Sequence, residues 1–241
     1  MTKIFAIYPT DKQQSTKFLN KINTYLKRKI DTDWHCYKIK FTDDDHQRCL
    51  NKVACSSAKL ILFMGHGRSD CLFGSCAKES NDFVSSDAIQ HNEIIYKNEN
   101  FINSGNIDFF KDKVLFSFSC NSNRNEKNSL GRKAIENNVR CFIGFGDIPT
   151  DYIKKNNLPI KAIAQYKNAI IKIINHSIYI SITNNYSCQD LVDMIKIYTM
   201  KEIQSLILSK NKMRHRDQVI EHLFLFKKEI VIFGNRFEKI I

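Results

Sequence analysis

The sequence predicts an α/β fold: a mostly parallel central sheet with helices on both of its faces. Two observations point there. Residues 59–64 (KLILFM) and 114–119 (VLFSFS) are continuous apolar runs that stop abruptly at small residues. That is the pattern of strands buried on both faces, whereas half-exposed strands alternate. Ahead of the first run, strand-like and helix-like stretches take turns, and a βαβαβ opening builds parallel strands through right-handed crossovers.

In chain order, residues 3–8 (KIFAIY) read as the first strand, ended by Pro9 and Thr10. Residues 11–29 carry Phe18, Leu19, Ile22, Tyr25 and Leu26 at helical spacing, and Asp11 with Gln14 has the form of a capping box. Residues 34–41 alternate, are rich in aromatic side chains and read as the second strand. Residues 42–54 read as a helix opened by Thr42 and by Asp43, Asp44 and Asp45, acids that suit the positive end of a helix dipole. Residues 68–112 break the rhythm. Leu72-Phe73-Gly74 reads as a short strand, 75–86 as a polar loop, 86–92 as one or two helical turns, 98–105 as irregular and 107–110 as a short helix. Lying between the two apolar strands, this segment should border any site that their ends form. Beyond the second run come a polar stretch over 121–128, a helix over 129–137, a strand over 139–144 and a long helix over 158–174. Ser187 and Asp190 form a capping box ahead of an apolar stripe from Leu191 to Ile207, and residues 230–233 with Gly234 read as the closing strand. With no linker and no repeat, the chain reads as one domain over residues 1–241.

Hydrophobic residues make up 43% and charged residues 26% of the 241, as in ordinary globular proteins. No run is long enough to span a membrane and no cleavable leader is evident, so a cytoplasmic location without a membrane partner is expected. The eight Cys form no CxxC pair and read as free thiols. Cys71 and Cys76 follow His66, yet no second ligand pair comes after them, so neither a metal nor an organic cofactor is expected. The net charge is +12. The basic residues are spread along the whole chain, and their densest cluster, residues 210–216 (KNKMRHR), lacks interleaved aromatics. Direct nucleic-acid binding is therefore not expected from charge alone.

The apolar runs end in chemistry. The first leads to His66 between Gly65 and Gly67, and the second to Cys120 after Ser119. As parallel neighbours, the two strands would present both side chains at one carboxyl edge, where ligands bind in open α/β sheets. A thiolate is the attacking form of cysteine, a neighbouring imidazolium favours it, and the same imidazole then protonates a leaving amine. The backbone N–H groups of Gly67 and Cys120 are candidate oxyanion donors. Cys141 reads as core, Asp70 and Asp82 as solvated loop residues, and His91, His176, His215 and His222 are assigned no chemistry.

The strand endings Met64-Gly65-His66-Gly67 and Phe118-Ser119-Cys120 resemble those of clan CD cysteine peptidases, the caspase-like superfamily. With residues 141–151 (CFIGFGDIPTD) and the closing IVIFGN, the chain is most similar to bacterial CHAT-type and separase-type members, and the resemblance covers most of it, as far as Asn235. The resemblance implies a caspase-like three-layer sandwich and an endopeptidase with His66 as base and Cys120 as nucleophile. It also implies a protein substrate, no cofactor, and control by a regulatory protein partner or ligand in a bacterial stress or antiphage defence system. Asp147 matches the position at which arginine-specific members hold the P1 side chain, which implies a basic P1 residue. A turn residue explains Asp147 equally well. The Trp usual in the separase-type segment is replaced here by Phe145-Gly146. Two other readings stay open: a catalytically silent caspase-like scaffold with a basic surface, and a thiol acyltransferase or amidase with the same dyad.

Overall fold

A computed structural model describes residues 3–10, 16–40, 42–75, 100–150, 159–209 and 214–241. Its strands are β1 (Ile4–Pro9), β2 (Trp34–Ile39), β3 (Leu60–Met64), β4 (Cys71–Phe73), β5 (Asn100–Asn103), β6 (Val114–Phe118), β7 (Cys141–Gly144) and β8 (Val231–Gly234). Six of them form one sheet in the order β2-β1-β3-β6-β7-β8. All its neighbours are parallel except β7 and β8, which are antiparallel. The strands β4 and β5 pair separately and antiparallel. The helices are α1 (Asn20–Ile30), α2 (Asp43–Cys55), α3 (Leu130–Glu136), α4 (Ile160–Thr183), α5 (Cys188–Leu208) and α6 (Arg216–Lys228).

The continuous apolar runs divide by parity. Leu60, Leu62 and Met64 of β3 join a core shared with α1, α4, α5 and α6. Ile61 and Phe63 join a second core shared with α2 and α3. Successive side chains of a strand point to opposite faces, so a strand between two helical layers must be apolar at every position. The α/β architecture with a mostly parallel sheet is as the sequence indicated.

Local signals hold in several places. Thr42 caps α2, accepting from the Asp45 N–H at 3.4 Å. Ser187 and Asp190 form the expected reciprocal capping box on α5. Elsewhere the structure corrects the expectation. The stretch read as irregular contains β5, whose Ile102 is buried opposite Leu72. The long helix runs to Thr183, nine residues past its expected end, because Ile178 and Ile182 continue the buried stripe and no breaker intervenes. Helix α6 was not foreseen. It starts after His215 in the left-handed region (φ 68°), without a side-chain cap, and its buried stripe is only Val219, Leu223 and Phe226. The Asp11–Gln14 capping box, the helical turns over 86–92 and most of the 75–86 loop lie outside the described residues, as do Cys76, Asp82 and His91.

Candidate functional site

Each paired residue of β3 sits opposite a β6 residue 54 positions later, from Leu60 and Val114 to Met64 and Phe118. His66 and Cys120 differ by the same 54, so both stand two residues beyond the last pair, at the carboxyl edge. The Gly65 N–H donates to the Phe118 carbonyl at 3.3 Å, carrying the ladder one step past the strands. His66 and Cys120 are both half-buried.

The His66 end depends on a missing side chain. A β-carbon on Gly67 would lie 2.8 Å from Ser119 Oγ and 3.0 Å from Leu72 Cδ2. Only glycine lets the backbone pass this close over the residue before the cysteine. Strand β4 also holds this turn. The Phe73 N–H donates to the His66 carbonyl (3.0 Å) and the Arg68 N–H to the Cys71 carbonyl (2.9 Å). Residues 68–73, the start of the segment between the two apolar strands, thus lie against the His66 turn. The Gly67 N–H has no hydrogen-bond partner among the described residues, which leaves it available as an oxyanion donor.

The Cys120 end is held by buried hydroxyls. Ser117, Ser119 and Ser122 are all buried. The Ser117 and Ser119 hydroxyls lie 2.9 Å apart. The Ser122 O–H points among the carbonyls of Ser117 (3.1 Å) and Ser119 (3.0 Å), while its oxygen accepts from the Phe145 N–H at 2.9 Å. Asn121, in the left-handed region (φ 56°), turns the chain so that its own N–H reaches the Gly146 carbonyl at 3.0 Å. The Cys120 thiol donates to the Ile148 carbonyl at 3.5 Å. The Cys120 turn is therefore tied to the loop that follows β7.

Asp147 is on that loop and is exposed. Its N–H donates to Glu229 Oε2 at 3.3 Å, so a second carboxylate, from the end of α6, stands beside it. The sequence reading missed Glu229, which lies 82 positions away and belongs to no local motif. It also missed Tyr166 of α4, whose hydroxyl is buried without a hydrogen-bond partner among the described residues. Burial raises the Tyr166 pKa well above its usual value, and the nearby Cys120, Asp147 and Glu229 add to the shift, so the phenol stays neutral beneath the site. Burial pushes the Cys36 and Cys71 thiols up to about 11 and keeps them protonated. Cys141 is core, as expected. Asp70 is exposed and pairs with Arg68 at 2.7 Å. Among the described residues no three His, Cys, Asp or Glu side chains gather as metal ligands. No helix of the described residues is long and apolar enough to cross a membrane. No protein-family model matches the sequence, and none of the curated proteins does.

Proposed function

We propose that this chain is a caspase-like cysteine peptidase, with Cys120 as nucleophile and His66 as its base. The observation that carries the reading is the shared register, which puts an imidazole and a thiol at one level of the carboxyl edge on adjacent parallel strands. His66 takes the thiol proton, and the thiolate adds to the scissile carbonyl carbon. The resulting oxyanion is met by the Gly67 N–H. On collapse the C–N bond breaks, His66 hands its proton to the leaving amine and a thioester remains on Cys120. His66 then deprotonates a water, which hydrolyses the thioester and releases the carboxylic acid.

The two acids at the rim, Asp147 and Glu229, favour a substrate with Arg or Lys at P1, because a carboxylate is a strong partner for a cation. Resemblance adds control by a regulatory partner or ligand and a place in bacterial stress or antiphage defence. The test is cleavage of a fluorogenic peptide library varied at P1, beside Cys120→Ala. Cleavage after Arg or Lys that disappears in the variant is the expected result. Cleavage after other residues keeps the dyad and discards Asp147 as a P1 partner. No cleavage, together with Cys120 no more reactive toward iodoacetamide than the remaining thiols, overturns the peptidase in favour of a silent scaffold.

A further inference from the structure

Spread out in sequence, the cations gather in space. Helix α1, the 3-10 turn before it (Lys17–Leu19) and helix α4 together carry eight Lys and Arg side chains and no Asp or Glu. The two helices pack side by side and run parallel, as three contacts in the same order along both show. Lys167 lies over the Phe18 ring (5.0 Å to its centroid), Tyr25 against His176 (6.0 Å) and Lys29 over the Tyr179 ring (5.9 Å). The ladder continues onto α5, where Tyr198 stacks on His176 at 5.4 Å and Lys201 covers Tyr198 at 4.9 Å. Cations and rings therefore alternate across one face. Beside them, Lys17, Lys21, Thr24 and Arg28 line a shallow hollow of about 580 Å³ along α1.

Among the described residues few acids neutralise this face, Asp31 at the C-terminal cap of α1 being one of them. Glu202 meets Lys172 at 3.5 Å, and Asp33, just past α1, is taken by Lys3 at 3.0 Å. Among the described residues Lys21, Arg28 and Lys29 form no ion pair and are exposed. The opposite helical layer is different, since α2 opens with Asp43, Asp44 and Asp45.

We propose that the α1–α4 face binds single-stranded nucleic acid. Exposed cations along a helix suit a chain of phosphates, and half-buried rings between them offer stacking surfaces for bases that duplex pairing would hide. An acidic peptide would use the charges but has no use for the rings. The proposal does not depend on the peptidase reading.

The experiment is fluorescence anisotropy of the full chain with a labelled single-stranded RNA of about 20 nucleotides, read across a salt series. Its arms are the matching duplex and vesicles containing phosphatidylserine. The K21E/R28E/K29E variant is compared with a charge-matched control on the opposite layer, R48E/K52E/K111E, and far-ultraviolet circular dichroism checks that both are folded. The face variant should lose at least tenfold in affinity and reduce the salt slope by about 2, while the control stays within about twofold of the parent. Tyr25→Ala, which leaves the charge unchanged, should cost a further ~5- to 100-fold on RNA. Equal losses in both triple variants would mean attraction to net charge alone and would overturn the site. So would tighter binding of the duplex, binding of vesicles but not RNA, or an unchanged affinity in Tyr25→Ala.

Discussion

The two strand ends that meet at the site are built by opposite means. At the end of β3 a side chain is missing, since Gly67 leaves room for its backbone to pass over Ser119. At the end of β6 the space is filled, and Ser117, Ser119 and Ser122 hold the turn with buried hydroxyls. A third strand end on the same edge uses a carboxylate. Asp45, buried, accepts from the Lys40 N–H just beyond β2 at 2.7 Å and from the Tyr37 hydroxyl at 2.8 Å. The imidazole end is thus set by steric clearance and the thiol end by hydrogen-bond geometry. An error at the first should displace His66 relative to Cys120, and an error at the second should loosen the sheet edge itself.

The most severe test removes the proposed dyad. On the peptidase reading, Cys120→Ala and His66→Ala should each lower peptide cleavage by about 10⁴-fold or more, and the double variant should be little worse than either, because a nucleophile and its base act as a unit. The ends can be coupled without any substrate. In His66→Ala the alkylation of Cys120 at neutral pH should slow by roughly tenfold, because the thiol loses the base proposed to take its proton. An unchanged alkylation rate would separate the two strand ends chemically.

The features that were legible in the sequence are those written in one stretch of chain. Residues 60–64 and 114–118 are buried at every position because both faces of β3 and β6 are covered, and that pattern, with the alternating strand-like and helix-like stretches ahead of it, called for a parallel sheet. His66 and Cys120 were legible because each ends such a run. Tyr166 and Glu229 were not, since one belongs to the interior stripe of α4 and the other ends α6, and only folding brings them near Cys120 and Asp147. The strand β5 escaped notice because it is short and only Phe101 and Ile102 of its residues are buried. The basic face was hidden for a related reason. Its cations sit on helices far apart in sequence that become neighbours in parallel, so a scan along the chain registers even spacing where the surface has a patch.

The difference between clearance and hydrogen bonding can be broken one glycine at a time. Gly67→Ala should reduce kcat/KM by about 10²-fold, the scale of an ångström-sized misplacement of a catalytic group. Gly65→Ala should cost much less, because its added carbon would meet the edge of the Phe63 ring no closer than 3.1 Å. Equal losses would remove the case for clearance over Ser119. On the other side, Ser122→Ala deprives the buried Phe145 N–H of its acceptor and should destabilise the fold by about 2 kcal/mol in urea unfolding. A variant as stable as the parent would mean that the serines fill space without organising the turn.

The smallest effect belongs to the end of β2, and it is the one of the three strand ends that carries a titrating carboxylate. Burial alone would raise the Asp45 pKa, but the Lys40 N–H, the Tyr37 hydroxyl and the Arg48 guanidinium more than offset it and hold it below the ordinary 3.8. A carboxyl group depressed in the folded state contributes stability that is fully present above its unfolded pKa and is lost as pH falls through the folded one. Asp45→Asn keeps one acceptor oxygen, so it should cost only about 1 kcal/mol at pH 7. The parent should lose stability from about pH 4 downward more steeply than the variant, the two curves converging in acid. Parallel curves would mean that Asp45 acts as a neutral hydrogen-bond acceptor and that the β2 end, like the ends of β3 and β6, is set by shape and hydrogen bonds without charge.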